Sequence, residues 1–410
     1  MWTCRAFLKT GGLALYSVLL VGTPLFLSRA ANAALDSGPH RRRKVLVTIF
    51  QRGAMDGLMA VTPFTDPILP NLRPRLAMTP DGSAPDAAPI DLDGRFGLHP
   101  AFAPMAPLFR EGRLAIVHGV GSPDATRSHF DAQDYMETGT PGRKGTTSGW
   151  LNRAVGLLGH EGTPFRAVSM TQALPRAFYG NAPALAIANL RDFGIRVPGN
   201  KKAQERVEAG FENLYQMASK NLLKRVGNES FNAIDMMTKI DVENYKPVEG
   251  AKYPNNSPLG NRLKQIAQLI KAEVGLEVAF TETGGWDTHV QQGTTVGSFS
   301  RRAADLSKAI NAFWTDLGAY QDDVIVMTMT KFGRKVRQNG SRGTDHGRGS
   351  CLFSLGNRVD GGKVHGTLPE SLAPEALEDG RNLLEILRPF VYRKYLDFGA
   401  FEALRSMKHR

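Results

Sequence analysis

The chain has 410 residues and a formal net charge of +12 at pH 7, from 51 Lys and Arg against 39 Asp and Glu. The basic residues are spread along the chain rather than gathered with aromatic residues into one stripe, which disfavours a nucleic-acid-binding protein. Such a charge attracts anions, so we expect an anionic small molecule or glycan as the partner. The length is sufficient for one large α/β domain, alone or with an insertion.

The first 33 residues have the features of a cleavable signal peptide. Arg5 and Lys9 give a positively charged start, and the following apolar run, residues 11–27, is interrupted by Pro24 and is short for a membrane span. The segment Ala31-Asn32-Ala33 then has the small-x-small pattern that a signal peptidase accepts. We therefore expect export to the periplasm or the extracellular space, with membrane contact only if this segment remains uncleaved as an anchor.

Residues 3–9 also resemble a twin-arginine export signal, with Cys4 in the position of the first arginine. The export route therefore stays open. Cleavage after Ala33 removes three basic residues and no acidic ones, which lowers the net charge from +12 to +9. It also leaves Cys351 as the only cysteine, which excludes a disulfide within the mature chain.

Residues 34–410 form the predicted folded domain, in which short apolar, β-branched runs alternate with helical patterns. This alternation is typical of a mostly parallel sheet with helices on its faces. The predicted strands are residues 45–50, 114–118, 166–169, 184–188, 276–281, 324–328 and 351–355. The predicted helices are residues 102–110, 300–320 and 382–390. The first and sixth strands are nearly unbroken apolar runs, as central strands covered on both faces require.

One block departs from this alternation. Residues from about 200 to 273 are charged and rich in helical patterns, contain no convincing strand, and are interrupted by Pro, Gly and Asn near 245–258. We expect a helical insertion or cap here rather than an independent domain.

Polar segments follow several predicted strands, at the positions where open α/β sheets bind ligands. After the first strand, glycines in residues 51–57 allow a sharp turn that brings Asp56 to the sheet edge, although an ordinary Asp-Gly turn is the alternative. After the second strand, Ser128 is a candidate nucleophile and Arg127 a candidate group for holding an oxyanion. Ser128 could equally cap the next helix, with Asp131 completing a capping box, and the two roles are compatible.

Two further segments carry an Asp and a His close together. Asp287 and His289 are two residues apart, so on an extended loop both side chains face one side and could bind one metal ion; a turn with a surface histidine is the alternative. The adjacent Asp345 and His346 are flanked by glycines, a pattern that core packing does not explain. Carboxylate and imidazole groups are ligands for divalent metals, and His365 is a further candidate.

The segment 331–335 follows the sixth predicted strand and is basic. Lys331 and Arg334 could supply positive charge for an anionic substrate, whereas a solvated loop is the preferred interpretation of Lys335. The sequence contains no Walker-type phosphate loop, no dinucleotide fingerprint and no Gly-x-Ser-x-Gly elbow, so a metal site is favoured over these alternatives.

At these segments the chain resembles a family of exported bacterial proteins known as domain of unknown function 1501. The resemblance runs from about Val45 to Gly366 and rests on segments that keep their order along the chain: residues 52–58, 96–100, 127–130, 149–151, 285–289, 332–334 and 344–347. The family is similar in fold to the alkaline phosphatase and sulfatase superfamily. The resemblance therefore implies a doubly wound sheet and a two-metal site that hydrolyses phosphate or sulfate esters.

On that resemblance the divalent metal ions, zinc, calcium, magnesium or manganese, would be held by five residues, with Ser128 as the nucleophile and Arg127 or Arg334 offsetting substrate charge. The implied ligands are Asp56, Asp287, His289, Asp345 and His346. His365 matches the last histidine of the superfamily in type and rough position.

Two departures from the expected patterns keep a second function open. Only Thr288 separates Asp287 from His289, where the superfamily usually has three residues. Thr330-Lys331 occupies the place of an expected Ser-Glu, and a cation there weakens metal binding or favours anion binding. The alternative is therefore a non-catalytic exported binding or assembly protein on the same fold.

Overall fold

The structure is a computed structural model that describes residues 42–80, 88–158, 160–193, 236, 240, 242–366 and 368–383. The predicted signal peptide, most of the helical block at 200–273 and the helix predicted at 382–390, from residue 384 onward, lie outside the described residues. Within these ranges, none of the helices combines the length and the apolar character that a membrane crossing needs.

The described residues contain short and long strands distributed over three sheets. The strands are β1 (Val45–Gln51), β2 (Val61–Pro63), β3 (Ile90–Asp91), β4 (Phe96–Leu98), β5 (Leu114–Val120), β6 (Ala167–Ser169), β7 (Leu185–Ala186), β8 (Val278–Thr283), β9 (Val324–Thr330), β10 (Arg334–Gln338), β11 (Thr344–His346), β12 (Ser350–Leu355) and β13 (Lys363–His365). The α-helices of the same ranges are α1 (Gly57–Ala60), α2 (Leu69–Leu72), α3 (Ala106–Arg110), α4 (His129–Thr138), α5 (Trp150–Gly156), α6 (Pro258–Lys271) and α7 (Ser298–Leu317).

Eight of the strands form one mixed, mostly parallel sheet in the order β13-β5-β12-β9-β1-β8-β6-β7. Only β12 is antiparallel to its neighbours, β5 and β9, whereas the other pairs in the sheet are parallel. The seven predicted strands are all present in this sheet, with boundaries that differ by up to two residues, and β13 completes it. The predicted α/β class is therefore confirmed.

Side chains from β1 alternate between two hydrophobic cores, one on each face of the sheet. Val47 and Ile49 pack with α6 and α7 on one face. Leu46 and Phe50 pack with α5 on the other. Because both faces are covered, every residue of β1 is buried, which explains the uninterrupted apolar sequence of this strand.

The described end of the block predicted as an insertion is part of this covering layer. In α6 the residues Leu263, Ile266 and Ile270 recur every three to four positions and are buried. The helix packs against α7 and β8, so over residues 258–271 the chain covers the sheet itself and does not form a separate cap. The adjoining segment is held to α7 through Asp316, which accepts hydrogen bonds from Tyr245 and Tyr253, each at 2.9 Å.

The strand directions determine where the polar segments meet. Strands β1, β5, β8 and β9 point the same way, so their carboxyl ends lie at one edge of the sheet. The amino end of antiparallel β12 lies at that edge as well, and the hairpin of β10 and β11, which pairs Arg334 with His346, precedes it. Polar loops from five strands therefore converge at this edge.

Candidate metal centre

Three histidines and one aspartate converge at the carboxyl edge of the sheet, and we call them the His-Asp cluster. Each offers one ligand atom, and these atoms all lie within 4.8 Å of one another. The members are His129, Asp287, His289 and His346. They come from three separate segments: the start of α4 after β5, the loop after β8, and the β10–β11 hairpin.

The local sequence explains how each segment presents its ligand. Ser128 is the N-cap of α4, and its hydroxyl accepts a hydrogen bond from the amide of Asp131 at 3.3 Å, so His129 is the first helical residue. In the loop after β8, the buried Trp286 anchors the chain immediately before Asp287. Gly53 has φ +119°, and a Cβ there would lie 2.7 Å from the amide nitrogen of Asp287, so only glycine allows this approach of the two loops.

The ring nitrogens point at a common centre. His346 Nε2 lies 2.7 Å from His289 Nε2 and 3.0 Å from His129 Nε2. It also lies 3.1 Å from Asp287 Oδ1. The other oxygen, Asp287 Oδ2, lies 3.1 Å from His129 Nε2. One imidazole N–H cannot serve three partners, and lone pairs that face each other repel, whereas a cation at the centre would satisfy all four groups.

These distances fit a metal ion after a small expansion. Bonds of about 2.0–2.1 Å in a tetrahedral site place ligand atoms roughly 3.3 Å apart. The observed separations of 2.7–3.1 Å are a few tenths of an ångström shorter. The cluster could therefore hold one metal ion, and three imidazoles with one carboxylate are the donors that zinc and other transition metals accept.

Arg334 lies beneath the cluster and fixes its aspartate. Its guanidinium is buried and donates to Asp287 Oδ1 at 2.6 Å. It also donates to the backbone carbonyl groups of Ala54, Trp286 and Thr344, at 2.8, 3.2 and 2.8 Å. Partial burial alone would raise the pKa of Asp287, but the charge of Arg334 and the hydrogen bond with His346 outweigh it and the pKa is lowered. Asp287 is thus held as a carboxylate, the form that binds metal.

Lys331 is buried on the other side of the cluster, with its Nζ 3.3 Å from His129 Nδ1. Burial, followed by the nearby charge of Arg52, lowers the pKa of Lys331. Burial likewise lowers the pKa of His129 and of His346, which favours the neutral imidazoles that a metal needs. Phe332 packs against both rings, with ring-centroid distances of 5.1 Å to His129 and 4.6 Å to His346.

Asp56, a predicted ligand, is outside the cluster and forms an ion pair with the buried side chain of Arg73. Its Oδ2 accepts hydrogen bonds from Arg73 Nη1 at 2.7 Å and from Gln292 Nε2 at 2.8 Å, and its Oδ1 caps α1 through the amide of Met59. Burial raises the pKa of this carboxyl, but Arg73 more than compensates and the pKa is lowered. Both oxygens of Asp56 are therefore used within the protein, in a buried ion pair that lies outside the cluster.

Asp345 and His365 also lie outside the cluster. Asp345 Oδ1 is 3.7 Å from His289 Nδ1, on the side of the ring away from the centre, and is held by Asn339 at 3.0 Å and by Lys335 at 3.3 Å. It is therefore beyond hydrogen-bond distance of His289 and contributes negative charge beside that ring. His365 belongs to β13, and its Nε2 lies 2.7 Å from the carbonyl oxygen of Asp360.

The two candidate catalytic residues before α4 are exposed. Ser128 caps the helix as described above, and Arg127 precedes it with its side chain in solvent. His129, by contrast, belongs to the cluster but was not among the ligands predicted from the sequence. The available signal was its position: a histidine at the start of a helix that follows a parallel strand lies at the binding edge of the sheet.

The chain matches known enzymes over short segments only, and one family model over more than half of its length. Short matches occur to the bifunctional glutamine synthetase adenylyltransferase/adenylyl-removing enzymes of Pseudomonas syringae pv. tomato, 72% identical over 32 residues, and of Thioalkalivibrio sulfidiphilus, 68% identical over 31 residues. Each match covers 8% of this chain and 3% of the relative, which is too little to transfer an activity. No solved structure matches the chain. A family model described as "Protein of unknown function (DUF1501)" matches residues 115–393, more than half of the chain, and the chain therefore belongs to this family.

Proposed function

We propose that the protein is an exported, metal-dependent hydrolase of phosphate or sulfate esters that uses one metal ion. The observation that carries the proposal is the His-Asp cluster at the binding edge of the sheet, with Arg334 and Lys331 beside it. The resemblance to the alkaline phosphatase and sulfatase superfamily adds the reaction class. A bound divalent ion would polarise the ester and lower the pKa of a water molecule.

The residues of the chain have separate tasks in this proposal. The cluster members bind the ion, and Arg334 keeps the carboxylate of Asp287 ionised and oriented through its hydrogen bond at 2.6 Å. Lys331 supplies positive charge near the equatorial oxygens of the ester, where charge is concentrated in the transition state. Asp345, 3.7 Å from His289 Nδ1, adds negative charge on the side of the ring away from the ion. Zinc suits three imidazoles better than calcium, magnesium or manganese, which prefer oxygen donors.

The nucleophile is either a water molecule or the Ser128 hydroxyl. Ser128 directly precedes the ligand His129, but its present role is to cap α4. Ser128→Asn separates these possibilities, because asparagine is an equally good N-cap and has no hydroxyl. Retained turnover in this variant would identify water as the nucleophile, and its loss with normal metal content would identify Ser128.

The direct test is metal analysis combined with turnover of an aryl phosphate and an aryl sulfate. We expect about one metal ion per chain in protein purified without chelators, and turnover that is lost in His346→Gln. The matched control is His160→Gln, since His160 is a partly exposed histidine that contacts Glu277 at the opposite edge of the sheet. A metal-free protein, or a metal-loaded protein that cleaves neither ester, would refute the hydrolase.

The second candidate is a non-catalytic exported binding or assembly protein. It is favoured by two observations. The four protein donors of the cluster would fill a tetrahedral shell, which is typical of structural metal sites. Asp56 is paired with Arg73 and so is not free for a second ion. This function predicts stoichiometric metal, no ester turnover, and retained binding of an anionic polymer such as dextran sulfate in Asp345→Ala. Complete loss of that binding in the variant would count against it.

A further inference from the structure

Two of the three most exposed large hydrophobic side chains of the described residues directly follow a member of the His-Asp cluster in the sequence. Phe130 is 88% exposed, Val296 84% and Val290 63%, whereas the remaining three, Leu157, Tyr179 and Val248, are between 39% and 44% exposed. Phe130 directly follows the ligand His129, and Val290 directly follows the ligand His289. Val296 belongs to the same loop as Val290. Single exposed apolar residues are common on protein surfaces, but their concentration beside a polar site indicates a binding function.

The exposure of these side chains is a fixed property of the local backbone. Phe130 is in the first turn of α4, which Ser128 caps. The backbone around Val290 is tied to the β10–β11 turn, because the His289 carbonyl accepts from Asn339 Nδ2 at 2.9 Å and the Gln291 amide donates to the Ser341 carbonyl at 2.9 Å. Neither side chain is therefore exposed merely because its segment lacks attachment to the fold.

Phe130 is also not needed to pack the cluster. Phe332, which is only 4% exposed, already covers the rings of His129 and His346. The partly exposed cluster, with the buried charges of Arg334 and Lys331 beside it, is thus flanked in the sequence by two exposed apolar side chains, Phe130 and Val290, which we call the apolar rim. A ligand that matches both parts has an anionic head and an apolar organic group.

We propose that the site takes amphiphilic anions, in which the phosphate or sulfate head reaches the metal centre and an attached alkyl or aryl group contacts the apolar rim. The inference rests on the proposed function for the identity of the ester, since it specifies the substrate class of the same site. Burial of each methylene contributes about 0.8 kcal/mol, so each added methylene that reaches the rim should strengthen binding about fourfold.

The test measures binding separately from turnover. Zinc-loaded protein is titrated by calorimetry with methyl, n-butyl and n-hexyl phosphonate, and with the matching sulfonates, none of which the proposed reaction cleaves. We expect affinity to rise in the wild type by about fourfold for each added methylene that reaches the rim. In Phe130→Ser and Val290→Ser the rise should be much smaller, with methyl phosphonate affinity, metal content and thermal stability unchanged. Leu157→Ser is the matched control, because it removes an exposed apolar side chain outside the rim.

Several outcomes would overturn the inference. They are undetectable binding of all these ligands, affinity that does not depend on chain length in the wild type, or an equal effect in Leu157→Ser. A change from dimer to monomer in Phe130→Ser, seen by sedimentation while chain-length dependence persists, would assign the rim to a subunit interface instead. Chain-length-dependent binding without turnover of n-hexyl phosphate would refute only the hydrolase, whereas turnover without chain-length dependence would refute only the apolar rim.

Discussion

Asp56 and Asp287 lie on neighbouring loops but in different surroundings. Asp56 forms a buried ion pair, whereas Asp287 belongs to the His-Asp cluster. Two substitutions can separate their contributions to stability and to metal binding. Asp56 and its partner Arg73 are each only 1% exposed, and their side chains are 2.7 Å apart. Removing one partner of a buried ion pair costs about 3–5 kcal/mol, because the other charge stays buried without compensation. Asp56→Asn keeps one oxygen, which can still cap α1, but its Nδ2 would then face the donors of Arg73 and Gln292, so we expect a loss within this range, about 3–5 kcal/mol.

For Asp287→Asn the expected pattern is reversed. Its side chain is 37% exposed, so solvent screens much of the charge that the substitution removes. We expect a small loss of stability and a loss of metal binding of at least tenfold, because an amide is a poor ligand in place of a carboxylate. Urea unfolding followed by tryptophan fluorescence measures the first quantity, and competition with a chromophoric zinc chelator measures the second.

The stability lost in Asp56→Asn should also depend on pH, in a direction that the pKa shift of Asp56 determines. The pKa of Asp56 is lowered in the folded protein by Arg73, despite the opposing effect of burial. The stability that its charge contributes is therefore present above the unfolded pKa of about 3.9 and is lost as the pH falls through the folded value. The difference in the free energy of unfolding between the wild type and Asp56→Asn should therefore become smaller at acidic pH. Asp345→Asn serves as an exposed control. If Asp56→Asn retained full stability but lost its metal, the assignment of Asp56 to a structural ion pair would be wrong.

Three further predictions concern other parts of the chain. Burial lowers the pKa of His99 and of His118 to about 4, so between pH 6.5 and 4 the unfolded chain binds more protons than the folded one. Urea unfolding should therefore show a loss of about 2 kcal/mol for each histidine between pH 7 and pH 5, and equal stability at both values would contradict this. Gly53→Ala should destabilise the fold and weaken metal binding together, because its Cβ would lie 2.7 Å from the Asp287 amide; an unchanged melting temperature would show that the loops adjust freely. Mass spectrometry of the exported protein should find a mature chain that begins after Ala33, and an intact leader on membrane-bound protein would favour the anchor.

The sequence predicts the sheet well because strand formation here depends on local patterns. The central strands β1 and β9 are apolar and rich in β-branched residues, and no distant information is needed to recognise them as buried. Three of the four cluster ligands were also predicted, since they occur as Asp and His close together in glycine-flanked segments. The same reasoning identified the carboxyl edge of the sheet as the site, because strand direction fixes the location of the following loops.

The sequence is least informative where the surroundings of a residue depend on a distant partner. Asp56 has the local features of a site carboxylate, and only the fold brings Arg73 to it, with Arg73 itself fixed by backbone carbonyl groups of Val336 and Lys335 at 2.6 and 3.0 Å. His129 has an aspartate two residues away, Asp131, but the segment is not flanked by glycines and Asp131 is interpreted as part of a capping box. The role of His129 follows from the meeting of α4 with the loop after β8, a contact between segments more than 150 residues apart in the sequence.

The charge balance of the centre gives a reason for the lysine at position 331. Asp287 contributes one negative charge, Arg334 and Lys331 contribute two positive charges, and a divalent ion bound to neutral histidines would raise the local formal charge to +3. With the glutamate expected at position 331 the same sum would be +1. Because an excess of +3 is compensated by a bound anion rather than by a second cation, Lys331 disfavours a two-metal centre and favours a phosphate or sulfate group at a one-metal centre. The ion pair between Asp56 and Arg73 also disfavours a two-metal centre, because it removes the free carboxylate that a second metal ion would need.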